Sequence, residues 1–191
     1  MNRRPLIILA VVALALTLAY SVTAYTIDVS QATRTNHRIE RGRYLVTAFG
    51  CADCHSPLTM GPEGPCPDPE HFLAGHPADM PLPPAPTPGP GPWIVRAAAT
   101  NTAWAGPWGT SFTSNLTPDV ETGIGSWTAD DFVKTVKSGR HLGLGRQLLP
   151  PMPVAALSTL TDEDLRAMYA FLRSVPAVVN RVPDPLPPAG L

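Results

Sequence analysis

In Cys51-Ala52-Asp53-Cys54-His55, residue type and spacing together prescribe a chemistry. Two thiols three positions apart share one side of a helical turn, where each can add to one vinyl group of a haem. The histidine beside the second thiol is then held where an imidazole nitrogen can ligate the iron. C-x-x-C-H is the spacing of covalent c-type haem attachment. It assigns Cys51 and Cys54 to the covalent bonds and His55 to the proximal iron position. A thioredoxin-like C-x-x-C would want a surrounding βαβ pattern, which this sequence lacks. A zinc site would want a second ligand pair, and Cys66, His71 and His76 are poorly spaced for one. Cys66 is left as the odd thiol of three. Its simplest reading is an inert loop cysteine, with an intermolecular disulfide or an extra metal ligand as alternatives.

A haem iron has a sixth position to fill. The candidates are Met60, Met80, Met152, His71, His76 and His141, since Met168 belongs to an apolar helix stripe. Met152 is the strongest. It sits in Leu149-Pro150-Pro151-Met152-Pro153, where three prolines fix the backbone around one thioether and forbid helix. Such a loop can hold a weak, soft ligand over iron at little ordering cost. Met60 is too close to His55 in sequence to reach the opposite face easily. His141 is the main rival, and a bis-histidine iron would have the lower potential. Arg140 and His141 facing a haem propionate is a more modest alternative. All four tryptophans, Trp93, Trp104, Trp108 and Trp127, fall between residues 93 and 127. They suit either the cover of a large apolar plate or ordinary core packing.

The elements that position these residues are legible in part. Arg3 and Arg4 precede an apolar run from Pro5 to about Tyr25. Residues 1–24 fit an export signal, with Val22-x-Ala24 as a cleavage site, and equally an uncleaved membrane anchor through residues 5–24. Both readings put the rest of the chain outside the cytoplasm, in the periplasm if the cell has one. Residues 25–36 are mostly polar and aperiodic, which predicts a linker. From His37 a helical pattern begins, with Ile39, Tyr44, Leu45 and Val46 as its apolar positions and Gly50 as its stop. Gly42 inside it implies either close approach by another helix or a tolerated defect. Residues 61–92 hold twelve of the 24 prolines, so an extended, polyproline-like loop is expected over one domain. Trp104-Ala105-Gly106-Pro107-Trp108-Gly109 reads as turn structure. Asn115-Leu116-Thr117 matches a glycosylation sequon, which we read as accidental. Thr128 caps a helix with Asp131 completing a box, Phe132, Val133 and Val136 form its buried stripe, and Gly139 ends it. Thr161 opens the last helix, with Leu165, Met168, Tyr169 and Leu172 on one face and Pro176 as the stop. Residues 176–191 form an extended tail.

Composition excludes one class outright. Net charge is −1 and charged residues make up 15 % of the chain, so there is no basic stripe for a nucleic acid. A helix feeding C-x-x-C-H, a Met-Pro loop and a closing amphipathic helix resemble a class I c-type cytochrome over residues 37–175. More narrowly, Asn115-Leu116-Thr117-Pro118-Asp119, Thr122-Gly123-Ile124-Gly125-Ser126-Trp127 and Leu149-Pro150-Pro151-Met152-Pro153 are similar to the cytochrome subunits of bacterial alcohol dehydrogenases. Those subunits carry three haem sites and this chain has one C-x-x-C-H, so the similarity is to a single module. The interval between His55 and Met152 is also long for the family, and the Pro-rich insert accounts for much of it. The resemblance implies an all-α, cytochrome c-like fold in which the first and last helices cross, Gly42 opposite the Tyr169-Ala170 region. It implies one haem c per chain and His55/Met152 ligation. With both axial positions filled, the expected function is one-electron transfer between a donor and an acceptor redox protein, not enzymatic turnover. A haem enzyme or a gas-binding protein is the alternative and would need an open iron position.

Overall fold

The computed structural model describes residues 4–85 and 94–188, with side chains from residue 13. The chain divides into two compact units, Met1–Arg38 and Ile39–Leu191.

Helix α1 spans Arg4–Ala48. Among the described residues it is the one helix long and apolar enough to cross a membrane by length and composition. Leu14, Leu16, Leu18 and Tyr20 are all exposed. Several of its hydroxyls bond within the helix: Thr17 donates to the Leu14 carbonyl and Ser21 to that of Thr17. Bonds of this kind satisfy polar side chains within the helix itself. The expected linker at residues 25–36 is helical instead. No glycine or proline interrupts the chain between Leu6 and Arg41, and a helix once nucleated propagates through indifferent sequence.

The second unit has a helical core. The end of α1 contributes Leu45 and Val46 to one apolar cluster with α3 (Ala129–Ser138) and α5 (Asp162–Leu172). Gly42 is where α1 meets α5: a Cβ there would lie 1.9 Å from the Ala167 carbonyl oxygen and 2.9 Å from the Phe171 Cβ. The nearest atoms belong to Ala167 and Phe171, which flank the expected Tyr169-Ala170 region. Arg41 pairs with Asp164 at 2.9 Å beside it. Tyr44, counted among the apolar positions, is 62 % exposed, with the Arg41 guanidinium over its ring. The caps follow the sequence. Thr128 and Asp131 form a reciprocal capping box, Gly139 closes α3 in the left-handed region at φ 65°, and Thr161 caps α5.

The all-α expectation needs correcting, because five short strands accompany the helices. β1 (Leu58–Gly61) and β2 (Gly64–Pro67) form a hairpin. β3 (Arg96–Ala97), β4 (Ala103–Gly106) and β5 (Gly109–Phe112) form an antiparallel sheet in that order. The Pro107-Trp108 turn joins β4 to β5, with Gly109 at φ 94°. The Pro-rich insertion is thus partly regular structure, and its interior is not surface: Leu73, Ala74 and His76 are fully buried. Residues 81–85 are exposed and irregular. The polyproline expectation for 86–92, and Trp93, lie outside the described residues. Two further turns had no sequence signal, a 3-10 turn at His141–Gly143 and α4 at Val154–Leu157.

Candidate functional site

The motif forms its own helical turn, α2 (Cys51–His55). Gly50 enters it at φ 63°, a left-handed conformation that lets α1 stop at Ala48 and α2 start at Cys51. Asn101, itself left-handed at φ 57°, donates its amide to the Asp53 carbonyl at 2.7 Å and pins the turn. Cys51 and Cys54 are both half-buried and form no disulfide. Burial, helped by the neighbouring Asp53 carboxylate, pushes the Cys51 thiol up to about 11 and raises that of Cys54.

His55 is 8 % exposed. Its Nδ1 lies 2.8 Å from the Ser114 carbonyl, which can only accept, so the ring proton sits on Nδ1. That leaves Nε2 as the lone-pair nitrogen, the arrangement of a metal-ligating imidazole with an outer-shell acceptor. Burial lowers its proton affinity and keeps the ring neutral. Ser56, wholly buried, accepts from the Leu73 N–H through its hydroxyl, and the Gly75 N–H donates to the His55 carbonyl at 2.7 Å. The backbone around the histidine is therefore fixed from both sides.

The other sixth-position candidates sort by what they touch. Met60 is 76 % exposed and Met80 41 %. His71 is paired with Asp68 at 2.7 Å. His76 spends both nitrogens, Nδ1 on Thr102 Oγ1 and Nε2 on the Met80 carbonyl. Met168 is in the core. His141 is half-buried with its ring edge-on to Trp127. Met152 is half-buried, packs against the main apolar cluster, as do Cys51 and Ala52, and lines a cleft of about 470 Å³ with Gly139, Arg140, Leu148 and Pro150. A volume of that order suits a cofactor, although Cys51, Cys54 and His55 do not line this cleft. The loop is anchored from the sheet: Ser111 Oγ donates to the Pro150 carbonyl at 2.7 Å.

The same strand supports the histidine. β5 carries Ser111, and three residues on Ser114 accepts from His55. In the hairpin it forms with β4, the indole N–H groups of Trp104 and Trp108 are buried without an acceptor among the described residues. Buried indoles ordinarily find a partner. Two such donors suit a carboxylate, and a haem carries two. Together the paired thiols, the neutral imidazole and these two donors fit a haem c.

Sequence reasoning missed Ser114 and Asn101, which act through backbone geometry that no local motif announces. It read the Asn115 sequon as accidental, and Asn115 is 3 % exposed with its amide committed to the Val178 carbonyl and to Thr117.

No family model matches the chain. It is 31 % identical over 169 residues to the fructose dehydrogenase cytochrome subunit of Gluconobacter japonicus, covering 88 % of this chain and 28 % of that one. It is 32 % identical over 133 residues to the gluconate 2-dehydrogenase cytochrome c subunit of Pantoea cypripedii, covering 70 % and 22 %. Over 81 residues, 41 % of this chain and 17 % of the relative, it is 41 % identical to the cytochrome c subunit of the quinone alcohol dehydrogenase of Gluconobacter oxydans. The chain spans about a quarter of the length of the first two of these relatives. In its motif and in its relatives, the chain resembles a cytochrome c module of the cytochrome subunits of bacterial dehydrogenases.

Proposed function

We propose that this chain carries one haem c, bonded through Cys51 and Cys54 and ligated by His55 and Met152, and passes single electrons between two redox proteins outside the cytoplasm. The observation that carries the reading is the His55 ring, whose Nδ1 proton is committed to the Ser114 carbonyl at 2.8 Å and whose Nε2 is thereby the free donor. The haem supplies the ferric/ferrous couple. The chain's own work is to hold that imidazole in one orientation, bring a thioether from a rigid loop and keep water from the site. Trp104 and Trp108, whose buried indole N–H groups find no acceptor among the described residues, would be available to hold haem carboxylates in this reading.

Residues 37–175 form the haem domain, and residues 1–24 deliver the chain to the membrane as a signal or an anchor. The apolar, unburied helix supports either role. The relatives are cytochrome subunits of fructose, gluconate and alcohol dehydrogenases, which favours a dehydrogenase as the source of electrons here. Purified protein should be coloured, show a low-spin c-type spectrum and keep its haem stain on a denaturing gel. Replacing Cys51 and Cys54 together by alanine should abolish the stain. A colourless parent protein, or a stain that survives the double replacement, would end the proposal.

A further inference from the structure

Among the described residues, the segment after α5 has no helix or extended strand of its own, yet at Asn180 it is bonded to the domain through every polar group the residue has. Asn180 Nδ2 donates to the carbonyls of Ala74 at 2.7 Å and His76 at 2.9 Å, while Oδ1 accepts from the Ala78 N–H at 2.9 Å. Its backbone N–H donates to Thr122 Oγ1 at 3.0 Å and its carbonyl accepts from Asn115 Nδ2 at 3.4 Å. Two residues earlier, the Val178 N–H donates to Thr117 Oγ1 at 3.1 Å. The tail is a strap stitched at one place to residues 74–78 and at another to residues 115–117.

Those are the two segments that flank the support of His55. The Gly75 N–H holds the His55 carbonyl, and the His76 N–H donates to the Thr113 carbonyl at 3.0 Å. The Ser114 carbonyl, acceptor of the His55 ring proton, lies between Thr113 and Asn115. The layers are in backbone contact, since a Cβ on Gly75 would fall 2.4 Å from the Thr113 oxygen and 2.7 Å from the Ser114 carbonyl carbon. Asn180 clamps both layers together around that carbonyl.

We propose that Asn180 is a positioning residue for the proximal ligand: through the strap it keeps the Ser114 carbonyl in line with His55 Nδ1. The proposal rests on His55 being the iron ligand. A firm acceptor at Nδ1 makes the imidazole the stronger donor to iron, and a stronger donor favours the ferric state. Loosening the strap should therefore favour the ferrous state.

The test uses the full-length, haem-loaded chain in detergent, with Asn180→Ala and Asn180→Asp. The aspartate keeps the size and the acceptor for Ala78 and loses the two Nδ2 donors, so it remains informative if the alanine variant does not fold. Two quantities are read: solvent exchange of the His55 Nδ1 proton by nitrogen-15 NMR of the ferrous protein, and the oxidised-to-reduced ratio at a fixed applied potential. Both variants should exchange that proton at least tenfold faster. The ratio should fall about threefold, which is a rise of about 30 mV at ~59 mV per decade for one electron. Leu186→Ser, in the strap but outside the clamp, should change neither. Parental exchange and ratio in a folded Asn180 variant would overturn the proposal even if its melting temperature fell, because a merely structural role moves stability alone. The ligand assignment is tested separately. If the iron-shifted ring signals of the untouched protein belong to another histidine, the His55 reading fails whatever the Asn180 variants do.

Discussion

Gly42→Ala separates two opposite expectations by sign. In an unpacked helix, alanine in place of glycine is worth about 1 kcal/mol of added stability. Here the new methyl carbon would lie 1.9 Å from the Ala167 carbonyl oxygen and 2.5 Å from its carbonyl carbon, with Phe171 Cβ at 2.9 Å. Contacts under about 3 Å are not tolerated, and the obstructing atoms are α5 backbone, which cannot swing aside as a side-chain end can. α1 and α5 must separate by roughly an ångström, loosening the layer of Leu45, Val46, Leu165 and Met168 between them. Overpacking of this kind costs roughly 1–3 kcal/mol, and a backbone clash belongs at the upper end. Net of the propensity gain, the variant should lose about 2 kcal/mol. For a chain of this size that is a fall of about 4–8 °C in Tm. Far-UV circular dichroism and haem absorbance, followed in one melt of the detergent-solubilised protein, measure it. An unchanged or raised Tm would refute the helix crossing and make Gly42 a tolerated defect.

Other perturbations follow from the same contacts. Met152→Ala should remove the sulfur-to-iron charge-transfer band and lower the midpoint potential; an unchanged spectrum would pass the sixth position to His141. The Arg41 guanidinium holds the Asp164 carboxyl below its usual range, so the pair stabilises the fold above the unfolded carboxyl's pKa of about 4 and ceases to as the pH falls through the lower folded value. Because Arg41 is half exposed, Arg41→Ala should cost only about 0.5 kcal/mol at pH 7. The gap to the parent should close on acidification, and a gap that persists at pH 2 would contradict the ion pair. Asn115→Ala strips a buried amide from the Val178 carbonyl and from the Thr117 N–H and should cost about 2–4 kcal/mol by denaturant titration.

The parts that could be read from sequence are those specified locally. Thr128 with Asp131, Gly139 and Thr161 mark helix ends because capping is settled within one turn, and α3 and α5 lie where those residues put them. The motif at residues 51–55 is local in the same sense. The failures are long-range, residues 25–36 excepted. The proline content of residues 61–92 implies an extended loop over the domain, and that segment also contains Leu73, Ala74 and His76, buried by contacts with residues 100–116 and 180 that no periodicity encodes. Polar residues 25–36 looked like a linker because pattern was absent, whereas their freedom from glycine and proline was the stronger signal. Asn180 offered one clue, an amide within a proline-rich tail, where local helix or sheet partners are excluded and a distant one is implied.

Residues 111–114 reach the Met152 loop at one end and the His55 ring at the other, with Phe112 against the His76 ring and Thr113 hydrogen-bonded to Thr102 between them. Four consecutive residues thus brace both proposed axial ligands from a single piece of backbone. Ligands hung from separate loops would relax independently each time the iron changes charge, and every such relaxation adds to the reorganisation energy that slows electron transfer. If His55 and Met152 hold the iron, a common brace would make the two displacements one and small. It also means that a single substitution in this strip, Ser111→Ala for instance, would act on the speed of electron exchange as well as on stability.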